Sequence, residues 1–135
     1  MTQALIALLM LGMPLAGSVE GGVVHVDPAE ATSVLRQVDD LVVLDVRTRR
    51  EFDTSHLEGA TRIDFLSGDF KEKAAKLDRD RAYLVHCRSG RRSTAAVELL
   101  KELGIARIYH LDGGIQAWRA AGLPTVAEDD PEVAR

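Results

Sequence analysis

Cysteine is almost missing from this sequence: Cys87 is the only one in 135 residues. A single thiol excludes an internal disulfide and cannot furnish the paired cysteines of a zinc knuckle. Aromatic residues make up only 4% of the chain, so aliphatic side chains have to fill its core. An excess of positive charge is missing too. The net charge of −4 leaves no global basic field, which argues against nucleic acid as a partner. The four histidines, His25, His56, His86 and His110, are scattered without ligand-type spacing, so neither a metal nor a cofactor is expected. No internal repeat is present. What remains is ordinary for one domain, with 46% hydrophobic and 28% charged residues, enough apolar material for a real core.

The most apolar stretch is "ALIALLMLGMPLAGS", Ala4 to Ser18. It is too short to span a bilayer comfortably and resembles the hydrophobic region of a secretory signal, with Ala16 and Ser18 suiting the small-residue positions of a cleavage site. No Lys or Arg precedes it. "LAGS" also resembles a lipoprotein box, but Ser18 stands where a cysteine would be lipidated, which rules out lipid attachment there. The expectation is an export segment over 1–18, a folded domain over 19–124, and an acidic, disordered tail over 125–135. The protein would then be periplasmic or secreted, with no stable membrane anchor after signal removal. The alternative is a hydrophobic first helix in a cytoplasmic chain.

Beyond "EGG" the chain alternates short apolar runs with helical patterns. "VVHV", "LVVLDV", "ATRIDF", "AYLVHC" and "RIYHL" read as strands. The continuous β-branched run in "LVVLDV" predicts a strand buried on both faces. "DPAEATSVLRQV" predicts a helix with Asp27 as cap, Pro28 at the first position and Glu30 three residues after the cap. "RREFDTSHL" predicts a short helix or turn, while "GDFKEKAAKL", the segment from Arg92 to Leu103, and "GIQAWRAAG" predict helices. Strands separated by helices imply an α/β fold with parallel pairing through right-handed crossovers.

Cys87 therefore ends a buried strand, with a helix starting a few residues later. In an open parallel sheet, ligands bind at the carboxyl ends of the strands. Within "CRSGRRS", Gly90 permits a tight curl, successive backbone N–H groups can converge on one point, and the next helix aims its positive end there. Arg88, Arg91 and Arg92 add three cations. Each feature favours thiolate over thiol, so the expected Cys87 is a nucleophile of depressed pKa in a cradle that also suits an oxyanion. The competing reading, a cysteine that is merely a small buried hydrophobe, explains none of these neighbours.

Three stretches, "DVRTRREFDTSHLEGA", "VHCRSGRRS" and "LDGGIQAW…GLP", resemble in kind and order the signatures of a single-domain rhodanese, over about Val23 to Pro124. The resemblance implies a five-stranded parallel sheet flanked by helices. It also implies sulfurtransferase activity through a Cys87 persulfide, with thiosulfate as donor and cyanide or a thiol as acceptor. The persulfide would sit among the backbone amides of Arg88, Ser89, Gly90, Arg91, Arg92 and Ser93. Arg88 and Arg91 are the candidates for the sulfonate end of the substrate. Arg92 stands between a substrate contact and a solvated cation, and Ser93 between a donor to sulfur and a helix cap. Asp45 and Arg47 are expected to form a charge pair that fixes neighbouring loops, with Arg47 as a second candidate for the pocket. His56 is expected to anchor its turn, Gly113 and Gly114 to allow a tight strand-to-helix turn, and Trp118 to lie in the core. No acid–base histidine is required if the cysteine is already ionised.

Two other classes compete. A phosphatase or arsenate reductase also cradles a cysteine in amides, but its signature places arginine where this chain has Ser93, and a loop from Cys87 to Arg92 is tight for phosphate. A non-catalytic module of the same family, binding a partner or sensing redox state, typically lacks the cysteine.

Overall fold

The computed structural model describes residues 17–128. Its framework is a mixed, six-stranded sheet with helices on both faces. In chain order the elements are β1 (Ser18–Glu20), β2 (Val23–Val26), α1 (Pro28–Gln37), β3 (Val42–Asp45), α2 (Arg49–Thr54), β4 (Thr61–Arg62), α3 (Phe70–Ala74), β5 (Ala82–His86), α4 (Arg91–Glu102), β6 (Arg107–Leu111) and α5 (Gly114–Ala120). The spatial order is β1-β2-β6-β5-β3-β4. All pairings are parallel except that of β1 with β2.

The α/β architecture is the expected one, with one strand more than the five anticipated. The extra strand, β1, runs antiparallel to β2 through Gly21 and Gly22, whose φ angles are +59° and +80°. Positive φ at both central residues is what a two-residue hairpin turn of this hand requires, and glycine adopts it without strain. β1 is exposed along its length, so it carries no apolar pattern. Ser18, assigned from sequence to the export segment, is thus part of the sheet edge. Residues 1–16, which hold most of that segment, lie outside the described residues. At the other end, Val126 pairs with His56 and the Glu128 N–H donates to the Asp53 carbonyl. Residues 125–128, assigned from sequence to the loose tail, therefore pack beside α2, and 129–135 lie outside the described residues.

Side-chain alternation along the central strands builds two cores. Ala82 and Leu84 of β5, with Tyr109 and Leu111 of β6, face α1 and α5, meeting Val34, Ile115 and Trp118. Tyr83 and Val85, together with Cys87 and Ile108, face α3 and α4, meeting Phe70, Ala96, Val97 and Leu100. A strand apolar at every position is the consequence of helices on both faces. Burying a leucine such as Leu100 contributes about 1.5–3 kcal/mol. The helix starts follow local rules. Asp27 accepts from the Glu30 N–H at 2.8 Å while Glu30 accepts from the Asp27 N–H at 3.0 Å, a reciprocal cap that opens α1 with Pro28 at its first position. Thr48 and Glu51 do the same for α2. Among the described residues no helix is long and apolar enough to cross a membrane.

Candidate active site around Cys87

β5 is central in the sheet and ends at His86, so the chain leaves the buried layer at Cys87. The loop then turns through Gly90, at φ +113°, and becomes α4 at Arg91. That turn brings the Gly90 N–H to 3.0 Å from Cys87 Sγ, and the hydroxyl of Ser93 to 3.4 Å from it. Cys87 is almost wholly buried. Burial is the strongest single influence on the thiol and pushes its pKa up. The Ser93 hydroxyl and the backbone N–H groups of Ser93, Gly90 and Ser89 together outweigh it and hold the pKa below the ordinary cysteine value.

The neighbouring strand-to-helix turn holds this loop from behind. Ile115 N–H donates to the Cys87 carbonyl at 3.0 Å, and Gln116 N–H to the Arg88 carbonyl at 3.1 Å. His86 Nδ1 lies 3.0 Å from the Cys87 carbonyl as well. The backbones approach so closely at Gly114 that a Cβ there would lie 2.5 Å from the Arg88 oxygen and 2.6 Å from the Cys87 oxygen. Glycine at this place is a steric requirement between two backbones, in addition to the turn geometry read from sequence.

The arginines separate into distinct roles. Arg92, left open between substrate contact and solvated cation, is engaged in the fold: its guanidinium holds the Glu51 carboxylate in a bidentate pair at 2.7 and 2.8 Å. That pair, with the Thr48 cap, lowers the Glu51 pKa to about 2. Asp45 and Arg47 form the expected buried charge pair, with Arg47 Nη2 2.8 Å from Asp45 Oδ2 and also donating to the Ser55 carbonyl at 2.6 Å. Arg47 nonetheless borders a pocket of about 250 Å³, together with Arg50, Glu51, Thr54, Ser55, Arg88 and Arg119. Arg47 is neutralised by Asp45 and Glu51 by Arg92, so Arg50, Arg88 and Arg119 are what make this pocket cationic. Arg88 is where a sulfonate contact was expected. Arg91 is exposed at the start of α4 and does not line this pocket. Arg50 and Arg119 were missed, since α2 and α5 reach the loop only through the fold.

Ser93, left open between cap and sulfur ligand, is buried beside the thiol. It does not cap α4, which starts at Gly90 without a side-chain cap. Its Oγ also lies 2.6 Å from His110 Nε2. Burial lowers the His110 pKa, and His25 beside it acts in the same direction. From sequence the four histidines showed no ligand-type spacing, and no acid–base histidine was required. The fold instead places His25 and His110 opposite each other on β2 and β6, with Asp112 two residues further on. His56 and Trp118 behave as expected. His56 stacks on Phe52 and sits 2.8 Å from its carbonyl, and Trp118 is buried with Nε1 donating to Pro124.

Known proteins agree with this construction. The model of the rhodanese-like domain matches residues 28–121. A thiosulfate sulfurtransferase, GlpE, of Pseudomonas putida is 34% identical over 106 residues, which is 78% of this chain and 94% of that protein. A probable adenylyltransferase/sulfurtransferase, MoeZ, of Mycobacterium tuberculosis is 36% identical over 93 residues, 69% of this chain. This chain spans only 24% of that relative's length. The crystal structure of a rhodanese-related protein from Thermoplasma volcanium superposes with a TM-score of 0.67 at 34% identity, covering 76% of this chain and 96% of that one. On the matched model, the order of the strands and the cysteine loop at the end of β5, this chain belongs to the family of rhodanese-like domains.

Proposed function

We propose that this protein is a sulfurtransferase that takes the outer sulfur of thiosulfate onto Cys87 and passes it to cyanide or a thiol. The observation that carries this reading is the thiol itself: buried, acidified by Ser93 and loop amides, and set in a loop whose Arg88 borders a cationic pocket. Relatives named as sulfurtransferase and thiosulfate sulfurtransferase support the same activity.

The Cys87 thiolate attacks the outer sulfur of thiosulfate, forming a new S–S bond. The donor's S–S bond breaks, and its electron pair leaves on sulfite. Cys87 then carries a persulfide, whose anionic outer sulfur is received by the amides of Arg88 to Ser93. An acceptor nucleophile attacks that outer sulfur, and the electron pair returns to the Cys87 thiolate. With cyanide the product is thiocyanate. No general base is required, because the thiolate is already favoured. Arg88, Arg50 and Arg119 supply charge for the dianionic donor and for departing sulfite.

The test is release of sulfite and thiocyanate from thiosulfate plus cyanide, with intact-protein mass spectrometry after thiosulfate alone. The expected result is a one-sulfur mass increase on Cys87 and no turnover by Cys87→Ser. Turnover that survives in Cys87→Ser would sink the mechanism. We further propose export to the periplasm or beyond, on the strength of the apolar segment from Ala4 to Ser18. An intact Met1 on natively expressed protein in the cytosolic fraction would overturn this.

A further inference from the structure

His25 and His110 are directly paired residues on adjacent parallel strands, so their side chains emerge side by side. Asp112 follows His110 by two residues, with its N–H still bonded to the Val26 carbonyl, and so projects to the same face. This register converges three donor atoms. His25 Nδ1 is 3.2 Å from His110 Nδ1 and 3.3 Å from Asp112 Oδ1, and His110 Nδ1 is 3.6 Å from Asp112 Oδ1. Ligands about 2.0–2.1 Å from a tetrahedral zinc ion are about 3.3–3.4 Å from one another. The three separations bracket that edge length.

We propose that His25, His110 and Asp112 form a three-ligand site for a first-row divalent cation of the zinc class, with its fourth position left to water. Two imidazoles and a carboxylate are borderline donors that suit zinc, cobalt or nickel better than magnesium or calcium. The site is also supported from behind. The other nitrogen of His110 is held by Ser93 Oγ at 2.6 Å, the kind of outer contact that fixes the ring of a metal-bound histidine. The approach is open, since Asp112 is largely exposed and His25 partly so. His25 and His110 also line a pocket of about 260 Å³ that includes Glu20 and Glu98, the latter paired with Lys101. Cys87 is not a donor in this set. Ser93 stands between it and His110.

The experiment titrates Zn²⁺ into chelator-stripped full-length protein by calorimetry, and Co²⁺ by visible absorption. The expected result is one saturable equivalent, with ligand-field bands and no thiolate charge-transfer band. Cys87→Ser should bind equally well, so the result does not depend on sulfur transfer. His25→Ala and Asp112→Asn should each weaken binding by on the order of tenfold or more. The exposed Asp112 provides a variant whose folding, followed by thermal melting, is not at stake. The absence of saturable binding would mean that the two imidazoles merely share a proton. That result, loss of binding in Cys87→Ser, or unchanged affinity in either ligand variant would overturn the site.

Discussion

Two adjacent turns in this molecule are built alike and used differently. The β5–α4 turn and the β6–α5 turn each leave a buried parallel strand and pass through a glycine of positive φ, Gly90 and Gly113. Each then starts a helix without a side-chain cap. In the first, an N–H of the turn is directed at a side chain, Cys87 Sγ. In the second, the early N–H groups of α5 are consumed by the Cys87 and Arg88 carbonyls of the first. The same local device therefore surrounds a thiol with amides in one place and buttresses that loop in the other. What distinguishes them is which acceptor the fold sets in front of the amides.

The largest effect should come from the buttress. Gly114→Ala puts a Cβ within 2.6 Å of two backbone carbonyl groups that already accept from the Ile115 and Gln116 N–H groups. A loss of more than about 3 kcal/mol in denaturant unfolding is expected, with no persulfide formed by whatever folds. Stability within about 1 kcal/mol of the parent would mean that the turns are not interlocked. Gly90→Ala sharpens the contrast. Its Cβ would meet nothing closer than 3.9 Å, so only the φ of +113° opposes it. It should cost about 1–3 kcal/mol and impair sulfur loading more than its stability loss explains.

Ser93→Ala removes the hydroxyl beside the sulfur. The pH midpoint of Cys87 alkylation should rise, because one of the groups that hold the thiol pKa down is gone, with the fold retained. An unmoved midpoint would assign the acidification to the amides alone. The smallest effect belongs to Glu51→Gln, which breaks the clamp between α2 and Arg92 and should cost about 1 kcal/mol at neutral pH. The folded pKa of Glu51, about 2, lies below the ordinary carboxylate value. Its contribution is therefore full above the unfolded pKa of roughly 4.3 and is lost as the pH falls toward the folded value. Between those limits the wild type should lose stability more steeply than the variant in acid-unfolding titrations.

Much of this was legible from residues because it is local. The reciprocal cap of Asp27 and Glu30, the both-face burial of β3 and β5, and the position of Cys87 after a strand are decided within a few residues. β1 was not legible, because an exposed three-residue edge strand shows no periodicity, although Gly21–Gly22 before "VVHV" is a hairpin signal that could have revealed it. Arg92 was ambiguous because its partner, Glu51, lies 41 residues away. Arg50 and Arg119 belong to helices whose sequences give no sign of facing the cysteine loop.

The sequence by itself determined the α/β alternation, the family and a thiol at a strand end followed by glycine and a helix. Each rests on short-range periodicity, turn chemistry or a contiguous motif. Only the tertiary structure decided that the Ser93 hydroxyl lies beside the sulfur, that Arg92 pairs with Glu51, that Gly114 lies between two backbones, and that His25 meets His110. Those outcomes depend on strand register and helix placement. They bring together residues that are remote in the chain, and no local pattern encodes the distance between them.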